Sequence, residues 1–218
     1  MLQTSLSLDY VVRPSTLKEN APLLILLHGY GSDENDLFSF SGELPEELLI
    51  VSAKAPYTMQ PYGNAWYAIN FDADKGKWSD NEQAKSSVNS IATFIDELKQ
   101  KYSVNSNNVT LLGFSQGSIL SYAVALTYPQ KIKNIIALSG YVNKDILPED
   151  LTAKHYQHLD FYCSHGSVDQ VIPPDWARQT PEFLNALQIK NTYSEFPVGH
   201  GVAPQNFYEL KTWLSKRL

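Results

Sequence analysis

A chain of 218 residues with 43% hydrophobic and 18% charged positions has the make-up of a folded globular protein, not a disordered one, and is long enough to bury a sizeable core. Its net charge of −6, with no cluster of Lys or Arg, argues against binding nucleic acid through the phosphates. One cysteine, Cys163, excludes an intrachain disulfide, and its apolar surroundings in the sequence predict a buried core residue. The first eight residues lack the basic and apolar regions of a signal peptide, and the longest aliphatic run, at 23–27, is far too short to span a bilayer. A cytoplasmic protein with no stable membrane insertion is expected.

Leu6, Leu8, Tyr10 and Val12 recur at every second position, predicting an edge strand that ends at Pro14. The run 23–27 is apolar at consecutive positions, as a central strand covered on both faces should be, and it leads into His28-Gly29-Tyr30-Gly31-Ser32. Asp33, Glu34 and Asp36 place acids in the first turn of a predicted helix. A strand is predicted over 48–53, followed by a long irregular stretch, 54–78, rich in aromatic residues. Its Trp66, Tyr67 and Phe71 are predicted to face substrate, because a loop of this length in a folded domain is usually functional. Asp72, Asp74 and Gly76 faintly echo a calcium loop, but the glycine is misplaced and Gln83 stands where a ligating Glu belongs, so no metal is expected.

Ser79 with Glu82 predicts a capping box opening a long helix, whose apolar face carries Ala84, Val88, Ile91, Ala92, Ile95 and Leu98. The polar run 103–108 ends it. A strand over 109–114 then passes through Gly113-Phe114-Ser115-Gln116-Gly117 into a helix-like apolar pattern that stops near Pro129. Further strands are predicted over 135–138, 159–163 and 192–196. Residues 141–158 are weakly patterned, with room for one short helix. Residues 176–187 read as helix, restarting at Pro181 with Thr180 as cap, and Pro204 opens a C-terminal amphipathic helix. Strands and helices alternate without a composition break or repeat. The prediction is a single α/β domain over 1–218, a mostly parallel sheet flanked by helices.

Strand, sharp turn, helix is the setting that a Gly-x-Ser-x-Gly nucleophile elbow requires. The pentapeptide alone decides little, since glycines also serve tight packing. Two further strand-end loops strengthen it. Asp169 follows one late strand and His200, between two glycines, follows the last; the order Ser115, Asp169, His200 is that of α/β-hydrolases. Serine needs a base, and the base an orienting acid. Asp160 and Asp175 are weaker alternatives for the acid. His28 and His165 are expected to brace loops, and His155 and His158 to be exposed. Two N–H donors should face a developing oxyanion, one from Gln116 and one from Tyr30.

His28-Gly-Tyr-Gly31, Gly113-Phe-Ser-Gln-Gly117, His165-Gly-x-x-Asp169 and Gly199-His200 together resemble the phospholipase/carboxylesterase family, which includes the acyl-protein thioesterases. The resemblance implies a small, nearly lidless α/β-hydrolase acting on short-to-medium acyl esters, lysophospholipids or thioesters. It implies no cofactor and an enzyme that is often a homodimer. It places the nucleophile on Ser115, the acid on Asp169, the base on His200, and the oxyanion donors on Tyr30 and Gln116. Tyr30 stands where the eukaryotic thioesterases usually carry Leu, and the segment 64–71 is longer and more aromatic than theirs. Both departures favour a general carboxylesterase over a depalmitoylating enzyme. A dienelactone-hydrolase-like or peptidase-like enzyme would share the fold, though the former uses cysteine at the elbow. A binding protein that kept the scaffold is the rival from outside enzymology.

Overall fold

The computed structural model describes residues 1–72 and 76–218, the side chains of 71–78 excepted. Its strands, in chain order, are β1 (Tyr10–Arg13), β2 (Ala21–Leu27), β3 (Leu49–Ala53), β4 (Tyr57–Thr58), β5 (Asn64–Ala65), β6 (Ile69–Asp72), β7 (Gly76–Ser79), β8 (Val104–Phe114), β9 (Asn134–Leu138), β10 (Asp160–Gly166) and β11 (Lys190–Phe196). The helices are α1 (Asn81–Lys101), α2 (Gln116–Thr127), α3 (Pro174–Ala177), α4 (Thr180–Ala186) and α5 (Pro204–Ser215). Seven strands form the central sheet in the order β1-β3-β2-β8-β9-β10-β11. All neighbours are parallel except β1, which pairs antiparallel with β3 at the edge.

Consecutive side chains of a strand point to opposite faces, so the wholly apolar runs build two cores at once. Leu23, Ile25 and Leu27 of β2 join Leu111, Ile135 and Phe161 on the face covered by α1 and α2. Leu24 and Leu26 join Ile50, Leu112, Ile136 and Tyr162 on the face covered by α5 and the segment 37–48. Each large side chain so buried contributes roughly 1.5–3 kcal/mol. Cys163 lies in the first of these cores, where burial pushes its thiol up to about 12, as suits an inert core residue. Among the described residues no helix is long and apolar enough to cross a membrane.

Several local expectations are corrected. The helix predicted after Asp33 is a 3-10 helix, Leu37–Glu43, in a sequence of Phe, Ser and Gly that holds a regular α-helix poorly. The cap of α1 is Asp80, whose side chain accepts from the Gln83 N–H, while Ser79 is held in β7 opposite Ile69. Residues 104–108 extend β8 and do not form a connecting loop. The stretch 54–79 contains two small antiparallel hairpins, β4–β5 and β6–β7. The 141–158 segment holds one 3-10 turn, Lys144–Ile146. Helices α3 and α4 are separate, but Thr180 gives no side-chain cap. The stretch around Asp74 and the side chain of Phe71 lie outside the described residues.

Candidate active site

The carboxyl ends of β8, β9, β10 and β11 lie side by side, so the loops that follow them form one row. Ser115 sits between β8 and α2 at φ 53° and ψ −114°, a conformation that costs about 1–3 kcal/mol and must be imposed by its surroundings. Its N–H donates to Leu138 O at 2.9 Å and its carbonyl accepts from Ile119 N at 3.1 Å. The flanking glycines are sterically required. A Cβ on Gly113 would lie 2.3 Å from the Gly117 carbonyl oxygen, and one on Gly117 would lie 2.0 Å from the Leu27 oxygen. Both obstacles are backbone, so neither could step aside.

Asp169 follows β10 and His200 follows β11. His200 Nε2 is 2.9 Å from Ser115 Oγ, and its Nδ1 is 2.7 Å from Asp169 Oδ2. A carboxylate can only accept, so Nδ1 carries the proton and Nε2 is left to accept from the hydroxyl. The other carboxylate oxygen accepts from Val171 N at 2.8 Å and Ile172 N at 3.0 Å. Burial raises the Asp169 carboxyl, but the hydrogen bonds from His200, Ile172 and Val171 together outweigh it and hold the group below its ordinary value. A side chain with no solvent exposure thus stays ionised where an imidazolium would form.

The other two strand-end histidines sit in bracing positions. His28 is fully buried, donates through Nδ1 to Gly29 O at 2.7 Å and accepts through Nε2 from Ala55 N at 3.1 Å. Burial pushes it below its usual value, so it stays neutral. His165 Nε2 lies 2.9 Å from Ile172 O and 3.3 Å from Asp169 Oδ2, spanning the base of the acid loop.

Tyr30 stands in the loop after β2, and Gln116 is the first residue of α2. Among the described residues neither backbone N–H meets an acceptor, and both residues line the same cleft as Ser115 and His200. That cleft measures about 710 Å³. Tyr67 lines it as well. Trp66 does not, which corrects the expectation that it faces substrate. It is fully buried, with its indole N–H donating to His28 O at 3.0 Å and its backbone N–H donating to Gln116 Oε1 at 2.8 Å. Gln116 also donates through Nε2 to Tyr67 O at 2.8 Å, so one side chain ties Trp66 and Tyr67 to α2. Tyr141, Asn143, Asp145 and Trp176 form a further wall of the cleft that sequence reasoning missed. Tyr141 and Asn143 come just after β9, and the rule that strand-end loops line the crevice could have flagged them.

A parallel sheet covered on both faces, with a hydroxyl–imidazole–carboxylate chain along its carboxyl edge, is the architecture of an α/β hydrolase. The family model for phospholipase/carboxylesterase matches residues 9–218, and the chain belongs to that family. Its relatives include acyl-protein thioesterase 1 of Yarrowia lipolytica, 30% identical over 159 residues, 71% of this chain and 69% of that one. Lysophospholipase-like protein 1 of Mus musculus is 24% identical over 211 residues, covering 89% and 86% of the two chains. Among solved structures, esterase PE8 superposes with a TM-score of 0.83 at 25% identity over 95% of this chain and 98% of that one. The carboxylesterase of Mesorhizobium loti gives 0.82 at 20% identity over 99% and 98%, a likeness of fold. The protein is a hydrolase of ester bonds.

Proposed function

We propose that the protein is a serine carboxylesterase that cleaves short-to-medium acyl esters through an acyl-enzyme. The observation that carries this reading is the continuous chain from Ser115 Oγ to His200 at 2.9 Å and from His200 to Asp169 at 2.7 Å. Ser115 Oγ attacks the ester carbonyl as its proton passes to His200 Nε2. The resulting oxyanion takes the free N–H groups of Tyr30 and Gln116, each such donor contributing on the order of 3 kcal/mol to the transition state. The imidazolium, held beside ionised Asp169, gives its proton to the departing alkoxide. Water then attacks the acyl-enzyme with His200 again as base, releasing the acid and restoring the serine.

Hydrolysis of p-nitrophenyl butyrate tests the assignment. Wild type should show a burst of p-nitrophenol and bind a fluorophosphonate at one site; Ser115→Ala should lose both, with kcat down by about 10⁴ or more. Turnover that survives in Ser115→Ala rejects the role given to Ser115. Acyl thioesters and lysophospholipids on the same residues are the second reading, motivated by the names of two relatives. A side-by-side kcat/KM comparison of an oxygen ester, its thioester and a lysophospholipid separates the two.

A further inference from the structure

One wall of the cleft takes no part in the chemistry above. Tyr141, just past β9, and Trp176, in α3, meet edge to face with ring centroids 4.9 Å apart and planes at 66°. The two rings therefore form the sides of a corner. Both line the cleft that holds Ser115 and His200, and both continue into an adjoining hollow of about 370 Å³. Asp145 lines the same two spaces. Its side chain makes no hydrogen bond or ion pair among the described residues, although its backbone N–H is tied to Asn143 Oδ1 at 3.1 Å. Burial raises the Tyr141 phenol and the charge of Asp145 raises it further, so the carboxylate's field reaches the ring. The nearest cation in sequence, Lys144, lies over the Phe183 ring at 5.6 Å within the adjoining hollow, does not line the cleft itself and forms no ion pair with Asp145.

Two aromatic rings beside a carboxylate that has no partner among the described residues attract a cation, and the ring surfaces themselves offer no strong hydrogen-bond acceptors to replace the water of a compact, strongly hydrated ammonium. An alkylated ammonium spreads its charge over apolar methyl groups and needs none. We propose that Tyr141, Trp176 and Asp145 form a subsite for an alkylated ammonium group, and that the preferred esters carry such a group near the scissile bond. This rests on the esterase reading, since it is the position of Ser115 in the same cleft that makes the subsite part of substrate recognition.

The test compares choline with 3,3-dimethylbutan-1-ol, which has the same shape and a carbon in place of the charged nitrogen. Each is titrated as an inhibitor of p-nitrophenyl acetate hydrolysis by the intact protein. The inhibition constant for choline is expected about tenfold below that of the alcohol. The ratio should fall to within about twofold in Asp145→Asn and in Trp176→Ala, because the charge or one aromatic wall is gone. Reading the ratio within each variant cancels any general loss of activity. Asp175→Asn removes a neighbouring carboxylate that does not line the cleft and should leave the ratio unchanged. A wild-type ratio near one, or a ratio untouched by Asp145→Asn, overturns the subsite. Calorimetric titration of Ser115→Ala with the same two compounds separates the two claims. Tighter binding of choline there, beside a wild type with no esterase activity, would keep the subsite and sink the esterase.

Discussion

Asp169 is held by more groups than any other side chain of the site: His200 on one oxygen, the Val171 and Ile172 amides on the other, and His165 alongside. Asp169→Asn keeps the shape, but its amide can present an N–H to Nδ1 and leave the proton of His200 on Nε2. The imidazole could then no longer accept from Ser115, and kcat for an activated ester should fall by about 10⁴ with little change in KM. The same carboxylate makes stability depend on pH. Its folded value lies below the unfolded value of about 3.9. The stability it contributes is therefore fully present above that unfolded value and is lost as the pH falls through the lower folded one. Urea unfolding of wild type and Asp169→Asn should show a stability gap that narrows between pH 6 and pH 3; a gap that widens on acidification contradicts the depressed value. Gln116 carries a second residue-level load. Gln116→Ala leaves its backbone N–H in place but strands the buried Trp66 N–H and Tyr67 carbonyl, at about 1–3 kcal/mol each. Catalysis should drop even though the proposed oxyanion donor is unchanged, and Gln116→Glu, which can still accept from Trp66, should recover part of the loss.

Among the elements, the turn from β8 into α2 is the least forgiving. Gly117→Ala puts a methyl 2.0 Å from the Leu27 carbonyl oxygen, so β2 and α2 must part. A cost of roughly 3 kcal/mol or more is expected, seen as a fall in Tm of about 6–12 °C. A variant melting with wild type would show that the elbow can relax. The turn was legible because apolar run, glycine-framed serine and apolar helix occupy consecutive positions. The central strands were legible for a related reason: burial on both faces leaves an unbroken run of aliphatic residues. The hairpins within 54–79 were not, since strands of two residues, as in β4 and β5, or of four, as in β6 and β7, are too short for a period to be read. Trp66 and Tyr67 are neighbours of the same chemical kind, yet one is sealed in the core and the other lines the cleft. That choice is made by Gln116 and His28, distant in sequence. The Tyr141–Trp176 wall was hidden similarly, because it exists only through the adjacency of β9 and β10. Ser115, Asp169 and His200 could be listed from their strand-end positions, whereas the 2.7 and 2.9 Å contacts joining them depend on β8, β10 and β11 lying on one side of the sheet.

For the whole molecule, the segment after His200 joins the site to the far edge of the fold. Helix α5 starts shortly beyond His200 and covers one face of the sheet with Phe207, Leu210, Trp213 and Leu214. Its two ends are fastened differently. Near the site, Asn206 donates to Ser164 Oγ at 2.9 Å and accepts from the Tyr162 hydroxyl at 3.0 Å, both on β10, the strand that leads to Asp169. At the far end Arg217 stacks over Trp213 at 3.6 Å, reaches Asp160 at 2.7 Å, and accepts through its carbonyl from Asn108. Arg217→Ala removes the stacking and the ion pair without orphaning Asp160, which keeps Lys190 at 2.8 Å. With Asp160 still paired to Lys190, the loss should be about 1–2 kcal/mol, most of it from the stacked ring, or a Tm lower by roughly 2–8 °C. Because Asn206 still anchors the near end, kcat/KM below the transition should stay within about twofold of wild type. Asn206→Leu should lower both, since it leaves the Ser164 and Tyr162 hydroxyls without their buried partner and frees the turn that presents His200. If Arg217→Ala costs activity in proportion to stability, α5 transmits strain along its whole length and the two fastenings are not independent.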